Sequence, residues 1–531
     1  MWSVLGQQVR RDRVTLPLWI LGTVALLTVA AASVVTEYGD DLQQILSVAL
    51  ATPALLALRG IPNGDTVGSA VHFQSFAFLA VTIGLMNVFL ATRHGRADEE
   101  KGRRELLVST PIARLTPPVA TLILALAANG VFAVLAPFGY QAAGVGYSGA
   151  VLSAVALAVT GLAFFGVGAL ASELTATSRA ASGIGATVVL AAYALRAGGD
   201  ALGTADIPTL SLEPAWLSYL SPIGWGQLTL AFTENRWQWI LPIAALAVLT
   251  IAAALLVHAR RDLGASLLPE RAGRAVARTT LRSPLALAWR LHWPTLVAWA
   301  AGSAVLGLAL GSLVTAISGA EIDNPQIEAI IASLGHDDQA SLGRALIPAI
   351  LMIVGALAGA AGVQAVLRLR DDEADGRAEA LLATPVSKIG WLLAGTTVGA
   401  LSVLTVLVAT GATTALGFLI IGNTDDAGLS FGQALVQAPS ALVFVGLATL
   451  AIALVPRIST ALAWLLFAFG VGWGLFGGLF GAPEWTENLS PLTTVPSLPT
   501  EDWVPTIIVG GVAVVATALA ALAFRRRDLI T

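Results

Sequence analysis

"RADEEKGRRELLVSTP" (Arg96 to Pro111) and "RDDEADGRAEALLATP" (Arg370 to Pro385) stand 274 positions apart in a chain of 531 residues that is 56% hydrophobic and only 12% charged. Soluble domains carry about 25% charged residues, so two charged islands in so apolar a sequence read as loops between membrane spans. Working outward from them at the roughly 20 apolar residues a bilayer requires gives twelve spans. They lie near 15–36, 71–92, 116–138, 148–171, 180–198, 238–258, 293–315, 345–367, 390–421, 431–455, 459–481 and 504–524. The expected fold is all-α, a polytopic membrane protein.

Charge then sets the orientation. With both termini inside, the inner segments hold 25 of the 29 Lys and Arg, leaving Arg59, Arg196, Arg236 and Arg344 outside. The outer segments hold 19 of the 33 acids, among them Asp40, Asp41, Asp337, Asp338, Asp425 and Asp426. This is the bias that keeps basic loops in the cytoplasm, so both termini are expected there. The first span follows Arg10, Arg11 and Arg13, but its apolar run is longer than the core of a cleaved signal peptide. The absence of cysteine excludes disulfides and thiolate metal sites, and His72, His94, His258, His292 and His336 are too scattered to form a ligand set.

The two islands belong to a longer series of repeats. Trp19-x-x-Gly22 returns as Trp299-x-x-Gly302, with Arg10 matching Arg290 at a shift of 280. The islands follow at 274, "WLSYLSP" (Trp216 to Pro222) and "WTENLSP" (Trp485 to Pro491) at 269, and "RRDL" at Arg260 and Arg526 at 266. The order is kept while the shift shrinks, as deletions in a second copy would produce. Each half then has six spans and starts and ends inside, which makes the halves parallel repeats. The expected organisation is a first half over 1–258, a linker over 259–292 and a second half over 293–531. In the linker Arg271, Arg274, Arg278 and Arg282 share one helical face, suited to anionic headgroups. The N-terminal stretch, with Trp2, Val4 and Leu5 against Gln7, Arg10, Arg11 and Arg13, reads as an elbow helix in the interface plane. After the first span of each half comes an outer segment. Glu37 to Asp65 reads as a short helix closed by a Pro-Asn-Gly turn, and Glu321 to Arg344 is its acidic counterpart.

Within each island, helical spacing pairs Glu99 with Arg103 and Glu373 with Arg377 at i, i+4. Gly102 and Gly376 interrupt the helix. Pro111 and Pro385 end it and suit the first turn of the next span, with Thr110 or Thr384 as N-cap. Leu106 and Leu107, like Leu381 and Leu382, lie beside charges on the inner face. A loop that only sets topology needs positive charge alone, whereas Glu, Gly, Arg, Glu, Leu and Thr-Pro recur here at identical spacing. Such constraint demands a shape, and the shape points to docking.

The string E-x-x-G-R-x-E-x-L-x-x-T-P, at Glu99 to Pro111 and Glu373 to Pro385, resembles the cytoplasmic motif of type-2 ABC exporter permeases, in particular the bacterial fused twelve-span group of polyketide-antibiotic or multidrug exporters. The resemblance covers essentially the whole chain. It implies that the islands are coupling helices seated on two copies of a separate ATP-binding subunit, with Glu99, Arg103, Glu105, Glu373, Arg377 and Glu379 as the matching positions. No G-x-x-x-x-G-K-[ST] string occurs, and the two lysines, Lys101 and Lys388, lie in no phosphate loop. ATP and its Mg are therefore expected on the partner, with no cofactor bound by this chain, which is not itself an enzyme. The expected cargo is a hydrophobic or amphipathic small molecule, and nothing points to nucleic acid.

Two other readings compete. Gly95 to Arg104 also resembles the loop between the second and third spans of major-facilitator carriers, but Leu369 replaces its first glycine in the second copy. Every Asp and Glu maps to a loop or a span end, so an ion-driven carrier lacks its membrane-buried acid. A membrane enzyme acting on lipid precursors would need a carboxylate pair or His-Asp set that does not recur near one face. Within the spans, the resemblance places a cavity along the second and fifth spans of each half, where Phe73, Gln74, Phe76, Phe78 and Asn87 fall on the second span; Gln364 on the eighth and Trp473 on the eleventh complete the candidate lining. Gly470, Gly474 and Gly478 form a small-residue ridge for close helix packing. Trp216, Trp225, Trp237, Trp239, Trp485 and Trp503 read as interfacial anchors.

Overall fold

The computed structural model describes all residues except 40–41, 269–275, 277–280, 320–338, 421–422, 477–488, 501 and 529–531. Among the described residues the secondary structure is helical but for one short hairpin of strands, Thr204–Asp206 with Ser211–Glu213. Among the described residues, eleven helices are long and apolar enough to cross a membrane. That is one fewer than expected: the span read over 459–481 is present as helix Ser459–Phe476, and its continuation lies outside the described residues. A helix can cross hydrocarbon because each backbone N–H and C=O finds its partner within the segment.

The chain divides into two compact units, Met1–Gly273 and Arg274–Thr531. In the first, a short helix α1 (Trp2–Asp12) leads into α2 (Thr15–Tyr38). Then come two small helices, α3 (Leu42–Leu50) and α4 (Pro53–Arg59), where one outer helix was expected, because Pro53 starts a new first turn. Helix α5 (Val67–His94) is capped by the Thr66 hydroxyl and is buried along most of its length. The short α6 (Arg96–Glu100) and α7 (Arg103–Val108) form the first charged island. Beyond it run α8 (Thr116–Tyr140), α9 (Tyr147–Leu174), α10 (Ser178–Ala201), α11 (Pro222–Gln227) and α12 (Ile240–Arg260).

The second unit contains α13 (Pro284–Gly319), α14 (Gln339–Ala374), α15 (Arg377–Leu382), α16 (Lys388–Ile420), α17 (Thr424–Val436), α18 (Ala438–Leu454), α19 (Ser459–Phe476) and α20 (Val504–Arg526). Helix pairings follow one plan in both units. As α2 packs on α8, so α13 packs on α16; as α9 packs on α5, α8 and α12, so α18 packs on α14, α16 and α20. In each unit the charged island meets the end of the last long helix, through Arg261 after α12 and Arg527 after α20, and this is its basic side.

One local difference has a simple cause. Backbone at Gly95 turns out of helical geometry (φ −89°, ψ −106°) and separates α5 from α6. A Cβ there would sit 2.6 Å from the Ala91 carbonyl oxygen. The matching residue in the second unit is Leu369, and there α14 runs unbroken through the acids to Ala374.

Of the remaining sequence expectations, Arg282 is exposed, whereas Arg271, Arg274 and Arg278 of the basic linker lie outside the described residues. So do Glu321 to Asp338 of the second outer segment, as well as Gly478 and Trp485.

Candidate functional site: the charged hairpins of the basic side

The two islands fold alike in detail. Gly102 (φ 65°, ψ 6°) and Gly376 (φ 72°, ψ 3°) occupy the left-handed region, which glycine enters without steric cost, and each precedes a six-residue helix. The Thr110 and Thr384 hydroxyls donate at 2.6 Å to the carbonyls of Leu107 and Leu381. These threonines therefore close the hairpin helix behind them and do not N-cap the next span. Pro111 and Pro385 likewise lie before the spans, which begin at Thr116 and Lys388.

The expected i, i+4 ion pairs are not formed. A helix cannot run through a left-handed glycine, so Arg103 swings to Asp98 (3.2 Å), and Arg377 to Asp372 (2.8 Å) and Asp375 (2.7 Å). Glu99 instead points inward, its side chain only 4% exposed, to Arg96 (2.6 Å), Arg104 (2.7 Å) and Arg261 (2.7 Å). Arg261 also donates through Nε to Glu173 at 2.7 Å, and Glu173 meets His258 at 2.9 Å. Burial opposes the charge of Arg261, but Glu99 and Glu173 outweigh it and raise its pKa above the ordinary arginine value. The second unit repeats the kernel: Glu373, 1% exposed in its side chain, pairs with Arg370 (3.4 Å) and with Arg527.

Two of the repeated strings therefore meet. Arg261 and Arg527 hold the same place in the two "RRDL" strings, and each clasps the first glutamate of its island. A buried Arg-Glu-Arg triad so ties each hairpin to the end of the last span of its unit. Arginines also reach the C-terminal carbonyls of a neighbouring helix, where the orphan acceptors and the helix dipole welcome a cation. Arg96 Nε donates to Thr175 O (2.6 Å) after α9, and Arg527 Nη1 to Ile452 O (2.5 Å) in α18. Around the triad the units differ. Arg104 and His258 in the first correspond to Ala378 and Phe524 in the second, where Arg527 lies over the Phe524 ring at 5.1 Å.

What the hairpins present outward is a second set: Arg103 (side chain 47% exposed), Glu105 and Leu106 (73%) in one, Arg377 (55%) and Glu379 in the other. Leu107, Leu381 and Leu382 are half-buried. In the first unit α1 braces the hairpin from the side: Arg11 donates to both Asp98 oxygens (2.8 and 2.7 Å), and Asp12 is held by Arg93 (2.8 Å) and His94. Helix α1 thus packs Val4, Gln8 and Asp12 inward and leaves Trp2 75% exposed.

Of the residues expected along a cavity, Gln74 lines a groove of about 720 Å³ whose walls come from α2, α4, α5 and α10. Phe78 and Tyr193 face each other in it, ring centroids 6.2 Å apart. Phe73 and Phe76 are instead fully buried in the core, and Asn87 forms a reciprocal amide pair with Asn129 of α8 (3.1 and 2.8 Å). Gln364 accepts from Trp299 Nε1 at 2.9 Å, and Trp473 stacks on Phe469 at 5.7 Å. At Gly470 and Gly474 a Cβ would come within 2.7 Å of the Phe444 ring and 2.5 Å of the Ser490 hydroxyl, so both admit close neighbours. Among the tryptophans, Trp216, Trp237 and Trp503 are exposed, while Trp225 donates to Tyr219 O and Trp239 packs on the Tyr219 ring.

Sequence reasoning did not single out Arg196 beyond its place outside the membrane. It is wholly buried in α10, salt-bridged to Asp200 (3.3 Å) and donating to the carbonyl of Ala57 (2.9 Å), so it pins the short helix α4.

Residues 281–525 match the family described as multidrug efflux system permease Rv1217c, C-terminal domain. The whole chain is similar to the multidrug efflux system permease protein Rv1217c of Mycobacterium tuberculosis (strain H37Rv), with 34% identity over 538 residues, 99% of this chain and 95% of that one.

Proposed function

Since this chain belongs to the Rv1217c family of multidrug efflux system permeases, we propose that it is the membrane subunit of an ATP-driven ABC exporter for hydrophobic or amphipathic compounds, with its basic side and both termini in the cytoplasm of a bacterial cell. Two copies of a separate ATP-binding subunit, carrying ATP and Mg, dock on the hairpins through Arg103, Glu105 and Leu106 and through Arg377, Glu379 and the half-buried Leu381 and Leu382. The observation that carries the reading is the identical folding of the two hairpins around left-handed glycines, with a buried anchoring side and an exposed docking side in each.

Glu99 and Glu373 have a different role from the exposed residues. They are positioning residues: force applied at a hairpin passes through the Arg-Glu-Arg triad to the end of α12 or α20, because a buried ion pair transmits displacement where an exposed one would slip. The groove containing Gln74, Phe78 and Tyr193 is the surface on which cargo is carried. An ion-driven carrier would need an enclosed carboxylate able to take up its ion. Asp200, buried in the last turn of α10, has its oxygens engaged by Arg196 and by the Ser218 hydroxyl at 2.6 Å, which favours a structural role.

The test is ATP-dependent uptake into inverted vesicles, with Arg103→Glu and Arg377→Glu introduced together. Uptake should be lost while the protein remains folded, and an ATPase should copurify only with the unaltered chain. Uptake driven by a proton gradient and indifferent to both changes would refute the reading.

A further inference from the structure

The second unit contains a cavity of about 230 Å³ beside its hairpin; in the first, the counterparts of four of its lining residues, Ala91, His94, Gly95 and Thr121, border one of only about 40 Å³. It lies where the N-terminal ends of α13 and α16 meet the last turns of α14, among Leu287, Leu291, Leu369, Trp391 and Val398. Its polar lining is Arg282, Ser283, His292, Arg368, Asp372 and Thr384. Asp372 is already paired with Arg377 at 2.8 Å, and Arg368 donates to Leu291 O at 2.7 Å. His292 is 4% exposed, and its Nε2 is buried without a hydrogen-bond partner.

Counting from the repeated strings, the corresponding place in the first unit holds its own carboxylate and amide, although Gln8 Oε1 and His94 Nδ1 are also buried there without a hydrogen-bond partner. Position 292 there is Asp12, whose carboxylate is taken by Arg93 and His94; position 288 is Gln8, which donates to Thr121 at 2.8 Å, and Thr121 corresponds to Gly395. In the second unit Ala288 and Gly395 leave space, His292 replaces the carboxylate, and Arg368 replaces His94. The first unit thus seats a carboxylate where the second has His292, and the wall of the second combines Arg282, Arg368 and a buried imidazole nitrogen with one carboxylate, Asp372, that Arg377 already pairs.

We propose that this cavity binds the phosphate end of an anionic phospholipid. Trp289 and Trp293, 46% and 50% exposed on α13, set its level at the membrane interface, where such side chains collect. A guanidinium binds phosphate through charge-assisted hydrogen bonds. The apolar wall accepts the start of an acyl chain whose remainder stays in the bilayer, and the volume is below the roughly 300 Å³ at which drug-sized pockets begin. Leu381 and Thr384 of the hairpin form part of the wall, so a bound lipid would brace the second hairpin as α1 braces the first.

The test is native mass spectrometry of the full chain in detergent with added phosphatidylglycerol or phosphatidylcholine. Phosphatidylglycerol should be retained in preference, and Arg282→Gln with Arg368→Gln should weaken it about a hundredfold, the loss of two charge-assisted contacts. Ala288→Phe, which fills the space without changing charge, and His292→Asp, which restores the carboxylate of the first unit, should each abolish the preference, whereas Arg457→Gln on an exposed loop should not. Should Ala288→Phe fail to fold, His292→Asp and the double glutamine variant carry the test. Equal retention of the two lipids, or indifference to these variants, would overturn the proposal, as would complete displacement by inorganic phosphate, which would mark a site for a soluble anion. Because the readout is lipid retention alone, its failure leaves the docking of an ATPase on the hairpins untouched.

Discussion

One guanidinium nitrogen of Arg261 reaches both carboxylate oxygens of Glu99, at 2.7 and 2.9 Å, across 162 positions of sequence. The contact joins the first charged hairpin to the end of the last span of its unit, and Arg527 does the same for Glu373. Buried ion pairs are weak evidence of net stability, yet removing one partner is costly, because the other charge stays behind in a poor solvent.

That asymmetry separates Glu99 from its neighbour. Glu99→Leu should destabilise the first unit by about 3–5 kcal/mol, since Arg96, Arg104 and Arg261 would face one another without it. Arg103→Ala, at an exposed pair, should cost no more than about 1 kcal/mol. Thermal or denaturant unfolding in detergent measures both, and equal costs would mean that the triad does not anchor the hairpin.

Gly102 and Gly376 offer a cleaner probe of hairpin shape, because almost nothing lies near an added Cβ: none within 4 Å at Gly376 and only Glu105 at 4.0 Å at Gly102. Alanine at either should cost about 1–2 kcal/mol through the left-handed backbone alone. Asparagine, which tolerates that region, should cost less. If the hairpins dock an ATPase, the paired alanine variant should lose partner retention more than melting temperature, and asparagine should restore it.

Asn87 and Asn129 satisfy each other in the interior of the first unit, both essentially inaccessible to solvent. Asn87→Leu alone should cost about 1–3 kcal/mol by leaving an amide buried without its partner. Adding Asn129→Leu should recover much of the loss, which a double-mutant cycle on unfolding would show. Additive costs would refute the coupling.

If cargo lies along the groove, Phe78→Ala and Tyr193→Ala should alter the range of compounds exported by cells, at unchanged protein level and partner retention. Phe73→Leu, within the core, should lower the amount of protein without changing that range. Resistance profiles normalised to expression distinguish the two, and an unchanged profile in both groove variants would exclude the groove.

Orientation can be measured directly, because the chain has no cysteine to remove. Glu105→Cys should react with an impermeant thiol reagent only from the cytoplasmic face, and Trp216→Cys, at a residue 69% exposed, only from outside. The reverse pattern would invert the topology.

Much of the architecture was legible because its causes are local. A helix in hydrocarbon satisfies its own backbone, so runs of apolar residues mark the spans, and Gly102 and Gly376 break the hairpin wherever they stand. The i, i+4 pairing of Glu99 with Arg103 was misread for a specific reason. Helical spacing assumes an unbroken helix, and the left-handed glycine between them turns one side chain toward Asp98 and the other inward.

The sequence by itself determined that the chain is helical and apolar enough to cross a membrane many times and that one charged phrase is written twice, since these follow from hydropathy and spacing along the chain. Only the tertiary structure decided that Glu99 belongs to Arg261, that Phe73, Phe76 and Asn87 are packing residues while Gln74 lines a groove, and that Arg196 pins the short helix α4. Those partners lie tens to hundreds of positions apart, and a buried charge or amide takes whichever complement the packed helices bring within about 3 Å, a choice that no local pattern records.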